Sequence, residues 1–322
     1  MKSIAKKWFS ILFPLVLGFL LLFYKYNQFT ESQLNEMQSY FAHADYRFIY
    51  LSLFIALFGF ASRAYRWKFA IEHLGYNSTF KNNLFAVYIS YFLNLTIPRS
   101  GEPARAVILN KYENIPFDKG FGTIVAERIV DMLVFLFFVT LGFILEFNVL
   151  KNYIFEKVPF SQLLILGAIA TLGLLILIYL WKYSKLAIVL KIKEKLNGLK
   201  DGIFSVFTMK KRGWFLAHSL FIWFTYLMMF YVTVFALPET QNVPFTAVII
   251  GFIFGSLAVG LTNSGFGAYP LLVAEVFLLY GIPDTAGTAF GWLVWTSQTA
   301  LIIVLGGLSF ILLPFLNRHK EL

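Results

Sequence analysis

The chain has 322 residues, of which 59% are hydrophobic and only 14% charged, and its mean hydropathy is +0.71. That balance excludes a soluble globular domain and requires a membrane. The formal charge of +10 gathers in no soluble segment large enough to hold nucleic acid, and the absence of cysteine excludes disulfide frameworks and thiolate metal sites.

Apolar stretches recur at 8–24, 48–62, 132–145, 163–181, 214–237 and 290–315. Most can cross a hydrocarbon core about 30 Å thick. They do not alternate, and backbone groups in lipid must be satisfied internally, so helices rather than a barrel are required. The first of them follows Lys2, Lys6 and Lys7 but precedes no small-x-small cleavage site, and is expected to be retained as a first helix.

After the helix near Phe48, residues 84–97 form a run of fourteen, about 21 Å as a helix and too short for a comfortable span. It ends in "NLTIPRSGEPAR", at 94–105, which concentrates charge, glycine and proline. A re-entrant hairpin is predicted: entry from the cytoplasm, a turn at "IPRSGEP", and return through Pro103 to Tyr112. Irregular backbone at that depth must be buried in protein or line a wet cavity. Arg99, Ser100, Gly101, Glu102 and Arg105 are therefore candidate binding residues, with helix N–H groups and an arginine offering an anion site. The competing structural reading pairs Arg99 or Arg128 with Glu102, Glu127 or Asp131 to lock the hairpin in place.

In the next helix "AERIVD" sets Glu127, Arg128 and Asp131 close to the midplane. Glu127 and Asp131, four apart, share a face, and ionisable residues at that depth are functional candidates. Residues 182–212 hold nine lysines or arginines, with leucines and valines at roughly helical spacing, as expected for a cytoplasmic connector resting on an anionic leaflet or simply solvated. Beyond it, 245–261 leads to a second tip, "TNSGFGAYP" at 262–270, and a return arm to Tyr280. Asn263, Gly265, Gly267 and, on the arm, Glu275 complete the candidate set. Asn94 and Asn263 are expected chiefly to cap broken helix ends.

Counting loops by the positive-inside rule gives twenty basic residues inside and four outside, with Arg99, Arg105 and Arg128 in no ordinary loop. Both termini are expected in the cytoplasm. "NIPFDKG" at 114–120 and "GIPDTAG" at 281–287 share I-P-x-x-x-G at an offset of 167 residues, and the same offset relates the surrounding elements. The predicted architecture is thus an all-α polytopic integral membrane protein. It has about six full spans and two re-entrant helical hairpins, in inverted repeats covering 1–159 and 160–322 of one transmembrane domain.

The quoted pieces "NLTIPRSGEPAR" and "AERIVD", with R-x-x-R-W at 63–67 and "SGFGAYP" through Glu275, resemble the transmembrane domain of lysylphosphatidylglycerol synthase, the flippase-like multiple peptide resistance factor family. The resemblance covers most of the chain from about residue 45. It implies movement of an anionic or an aminoacylated phospholipid between leaflets of a bacterial-type inner membrane, and a polyprenyl-linked sugar would suit the same cavity. Only a few residues follow Phe315, so a synthase activity is not expected. The implied partners are membrane lipids and either a separate lipid-modifying enzyme or a second copy of the chain, not nucleic acid. No cofactor is expected, since H-E-x-x-H, P-loop and G-x-S-x-G patterns do not occur. Two rivals are a membrane-embedded transferase using Glu127 and Asp131 as acid and base, and a proton- or ion-coupled transporter.

Overall fold

The computed structural model describes residues 16, 18–20, 22–157, 160–184, 186, 190 and 208–318. Its elements are α1 (Glu31–His43), α2 (Tyr46–His73), α3 (Phe80–Thr96), α4 (Gly101–Glu113), α5 (Phe117–Leu145), α6 (Phe147–Lys157), α7 (Phe160–Tyr183), α8 (Arg212–Thr233), α9 (Phe245–Leu261), α10 (Ala268–Leu278) and α11 (Asp284–Leu316), with a 3-10 turn Val234–Ala236 after α8. No strand occurs among the described residues.

Local signals set these boundaries. Thr30 and Gln33 form a capping box at α1, and Asp45 caps α2 by accepting from Arg47 N. The two I-P motifs work alike: Pro116 and Pro283 are extended, the helix starts at the next residue, and Asp118 or Asp284 sits in its first turn against the positive end of the dipole.

Four helices have the length and composition to cross a membrane: Tyr46–His73, Phe117–Leu145, Arg212–Ala236 and Asp284–Leu316. Of the six spans expected, the first falls largely outside the described residues, and that at 163–181 corresponds to α7, whose apolar part is Gly167–Tyr183. Most of the basic connector also lies outside them. Helices α1 and α6 occupy segments read from sequence as loops.

Between the long helices stand two helical hairpins. Asn94 lies beside Gly101 and Asn82 beside Glu113, so α3 and α4 are antiparallel; Gly255 beside Tyr269 and Gly251 beside Phe277 establish the same for α9 and α10. None of these arms exceeds 17 residues, about 25 Å of helix, against a core of about 30 Å. Helix α3 begins four residues earlier than the apolar run at 84–97. Thr79 caps it, the buried Asn82 bonds to Glu113 and Asn317, and Asn83 Nδ2 donates to Ser78 Oγ, so polar residues enter a helix that hydropathy alone truncates.

The hairpins pack crosswise, α3 on α11 and α9 on α5, while α2 runs along α8. Small residues permit close approach. A Cβ on Gly59 would stand 2.7 Å from Thr225 Oγ1, and one on Gly291 would stand 2.5 Å from Pro270 Cα. In the second half Phe230, Phe277 and Phe290 form a buried aromatic cluster with centroids 4.9 to 6.0 Å apart. Phe19 stacks edge-on against Phe266 at the second tip, and Lys25 pairs with Asp284 at 2.6 Å.

Arg63 and Arg66, counted above among cytoplasmic loop charges, lie buried within α2. They say nothing about the leaflet, and the inside count falls from twenty to eighteen.

Candidate functional site: a buried arginine–carboxylate cluster

Five ionisable side chains converge where α2, α4, α5 and α8 meet. Arg63 and Arg66 are three apart on α2 and share a face, as do Glu127 and Asp131 on α5. Arg66 NH1 donates to Asp131 Oδ1 at 2.6 Å and to Ser219 Oγ at 2.9 Å, while NH2 reaches Asp131 Oδ2 at 3.2 Å. This is a two-pronged guanidinium–carboxylate pair. Arg66 Nε lies 3.6 Å from Glu127 Oε1, and Arg105 NH1 donates to Glu127 Oε2 at 2.9 Å. Arg63 NH2 stands 3.3 Å from Asp131 Oδ2 and donates to Tyr226 OH at 3.2 Å; the Tyr226 and Tyr91 hydroxyls share a hydrogen bond of 2.7 Å.

All five are nearly or wholly buried. Aromatic faces replace part of their lost hydration. The Arg105 guanidinium lies 3.9 Å from the Trp67 ring centroid, Arg66 lies over Phe215 and Arg63 over Tyr91. Trp67 is itself fixed, its Nε1 donating to Thr123 Oγ1 at 2.8 Å.

Beside the cluster is a polar cleft of about 30 Å³, lined by Arg63, Ser90, Tyr91, Asn94, Glu102, Arg105 and Arg128 together with Val87. Arg63 Nε and NH1, and Arg105 Nε and NH2, are buried without a hydrogen-bond partner. No group of three or more His, Asp or Glu among the described residues is placed to hold a metal.

The structure thus brings together Glu102, Arg105, Glu127, Arg128 and Asp131. Arg128 is the peripheral member: its side chain is 43% exposed and stands 3.4 Å from Asp131. Of the expected locking pairs, Arg128 does meet Asp131, but within α5; the pairs that join helices are Arg66–Asp131 and Arg105–Glu127. Arg99 is exposed at the turn with φ of +61°, and no ion pair joins it to Glu102, whose Oε2 accepts from Asn94 Nδ2 at 3.5 Å. Glu275 is half-buried on α10 and belongs to no ion pair among the described residues.

The hairpin tips are occupied with one another. Asn94 Oδ1 accepts the Gly101 N–H at 2.8 Å, capping α4, and Ser100 Oγ donates to Leu93 O and Ile97 O. From the second tip Asn263 Nδ2 donates to Leu95 O at 2.9 Å and Ser264 Oγ to Asn94 O at 3.0 Å, satisfying the last carbonyls of α3. Gly265 and Gly267 have φ of +82° and +73°, which only glycine adopts without strain. Asn94 therefore caps as expected, Asn263 caps the opposite hairpin, and the free N–H at Gly101 is no longer open to an anion.

Sequence reasoning about the site missed Arg63 and Arg66. The available signal was two arginines one turn apart within a long apolar helix, which is expensive unless functional or paired. The partners Tyr91, Ser219 and Tyr226 left no such signal.

Among known proteins, the chain is 28% identical over 281 residues to a UPF0104 membrane protein of Methanocaldococcus jannaschii, covering 77% of this chain and 79% of that one. A UPF0104 membrane protein of Pyrococcus horikoshii is 28% identical over 156 residues, 47% of this chain and 42% of its own. The glycosyltransferase AglD of Haloferax volcanii is 29% identical over 100 residues, 31% of this chain and 16% of its own. No solved structure matches. The model of the lysylphosphatidylglycerol synthase transmembrane region matches residues 8–307, nearly the whole length, and the chain belongs to that family of integral membrane proteins.

Proposed function

We propose that this protein moves a lipid or lipid-linked substrate between the leaflets of the plasma membrane, both termini lying on the cytoplasmic side. The observation that carries the reading is a cation-rich buried cluster beside the first of two short-armed hairpins that touch tip to tip. A bundle needing only a rigid core gains nothing from charges there, because a well-packed apolar core would be at least as stable. A translocator needs a polar station at mid-depth for a headgroup, with apolar walls for the chains.

Two features support it. The starts of α4 and α5, at 101 and 117, recur in α10 and α11, at 268 and 284, each 167 residues on. That register is what inverted repeats with re-entrant hairpins entering from opposite faces would produce. An apolar groove of about 230 Å³ between α5 and α8, lined by Val130, Leu133, Phe137, Leu216 and Leu220 with Arg212 at its edge, suits an acyl chain. The substrate in this reading is an anionic or aminoacylated phospholipid made by a separate enzyme.

A second reading, a membrane-embedded transferase, draws on the partial match to a protein named as a glycosyltransferase. Reconstitution into liposomes with fluorescent phospholipid analogues in one leaflet separates the two. Protein-dependent leaflet exchange with unchanged lipids supports transport, a new lipid species supports transfer, and neither result leaves the proposal standing if both are absent.

A further inference from the structure

We infer that the cleft between α2 and the first hairpin binds a phosphate group, held by Arg63 and Arg105; the reading above enters only in taking a lipid as the phosphate's source. The cluster and cleft wall carry four guanidiniums (Arg63, Arg66, Arg105, Arg128) and three carboxylates (Glu102, Glu127, Asp131), one positive charge in excess. Glu127 and Asp131 are engaged by Arg105 and Arg66. Glu102 lies on the wall, bonded to Asn94 rather than to an arginine.

Donor geometry comes next. Four guanidinium nitrogens, Arg63 Nε and NH1 and Arg105 Nε and NH2, are buried and unpaired. Both arginines line the same cleft and come from different helices. Arg105 Nε and NH2 share one edge of the guanidinium, a two-donor fork whose natural acceptor is a pair of oxygens on one oxyanion. Its plane is held on the Trp67 ring, so the fork has a fixed direction. Ser90 and Tyr91 line the same wall.

Size narrows the ligand. A water needs about 10–15 Å³ of such space, so a cleft of about 30 Å³ suits a few oxygen-sized groups rather than a whole lipid headgroup. The two unesterified oxygens of a phosphodiester fit, with the ester arms left outside the cleft. A lipid phosphate and free phosphate share this chemistry.

The test uses purified full-length protein in detergent, with phosphatidylglycerol, diacylglycerol of the same chains, and inorganic phosphate as probes. Phosphatidylglycerol should bind at least about tenfold tighter than diacylglycerol, and Arg105→Lys, which keeps the charge but removes the fork, should erase most of that difference. Glu102→Gln, which removes the negative wall charge without changing shape, should raise phosphatidylglycerol affinity several-fold. A merely structural carboxylate would not do so, and this variant decides the matter if Arg105→Lys fails to fold. Equal binding of the two lipids, or unchanged or weakened binding in Glu102→Gln, overturns the inference. Inorganic phosphate binding that responds to Glu102→Gln while neither lipid binds keeps the site and removes the lipid-transport reading. Phosphate-dependent lipid binding without leaflet exchange in liposomes does the same.

Discussion

Replacing Asp131 by Asn keeps the volume of the side chain and deletes its charge from beneath three arginines. Asp131 is 6% exposed and faces Arg66 at 2.6 Å, Arg63 at 3.3 Å and Arg128 at 3.4 Å. Asn keeps one acceptor oxygen but no charge, so Arg63 is left without a paired anion and Arg66 with only the more distant Glu127, in surroundings that exclude water. Removing one partner of a buried pair costs about 3–5 kcal/mol, on the order of 10² to nearly 10⁴ in the folded-to-unfolded ratio. Arg128→Ala removes a contact to the same carboxylate from a half-exposed side chain, where an ion pair contributes about 0–1 kcal/mol. Thermal and denaturant unfolding in one detergent, scored by monodisperse protein on size exclusion, should therefore show a large loss for Asp131→Asn and almost none for Arg128→Ala. Equal effects, or a neutral Asp131→Asn, would refute the assignment of Arg66–Asp131 as the central buried pair.

Other predictions follow from packing and topology. Gly101→Ala drives a Cβ into the Ser90 carbonyl and hydroxyl, an overpacking cost of about 1–3 kcal/mol, whereas Gly122→Ala meets nothing within 4 Å and should be neutral or slightly stabilising; paired melting curves test the contrast. Asn263→Ala leaves the Leu95 carbonyl without its tip-to-tip donor and should cost about 1 kcal/mol, with faster hydrogen exchange confined to both tips; protection unchanged at the first tip would disprove the contact. Because the chain has no native cysteine, single cysteines can report topology: positions 111 and 211 should label from the cytoplasm and 151 from outside. Labelling of 111 from outside would make the first hairpin a full span.

The candidate site was half legible, and the division has a physical cause. "AERIVD" and the charges of the first hairpin stand out because their neighbours are apolar, so Arg105, Glu127 and Asp131 were found. Arg63 and Arg66 sit near the end of α2 among Lys68, Glu72 and Lys81, and a positive-inside count absorbs them into a loop. Burial alone distinguishes them from Lys68, and burial is created by α5 and α8 packing onto that face. Arg99 shows the reverse error: it stands in the most polar stretch of the chain, yet the left-handed turn sends it to the surface.

Composition and hydropathy by themselves determined that the chain lies in a membrane as helices, and proline, glycine and capping residues fixed where α4, α5, α9, α10 and α11 begin. These are local properties, decided by a side chain and its immediate backbone. Which charges pair, which hairpin carbonyls are capped from the other tip, and which guanidinium N–H groups stay open were decided only in the tertiary structure. The Arg66–Asp131 pair is 65 residues apart and the Asn263–Leu95 bond 168 apart, and at such separations only the packing of whole helices chooses the partner.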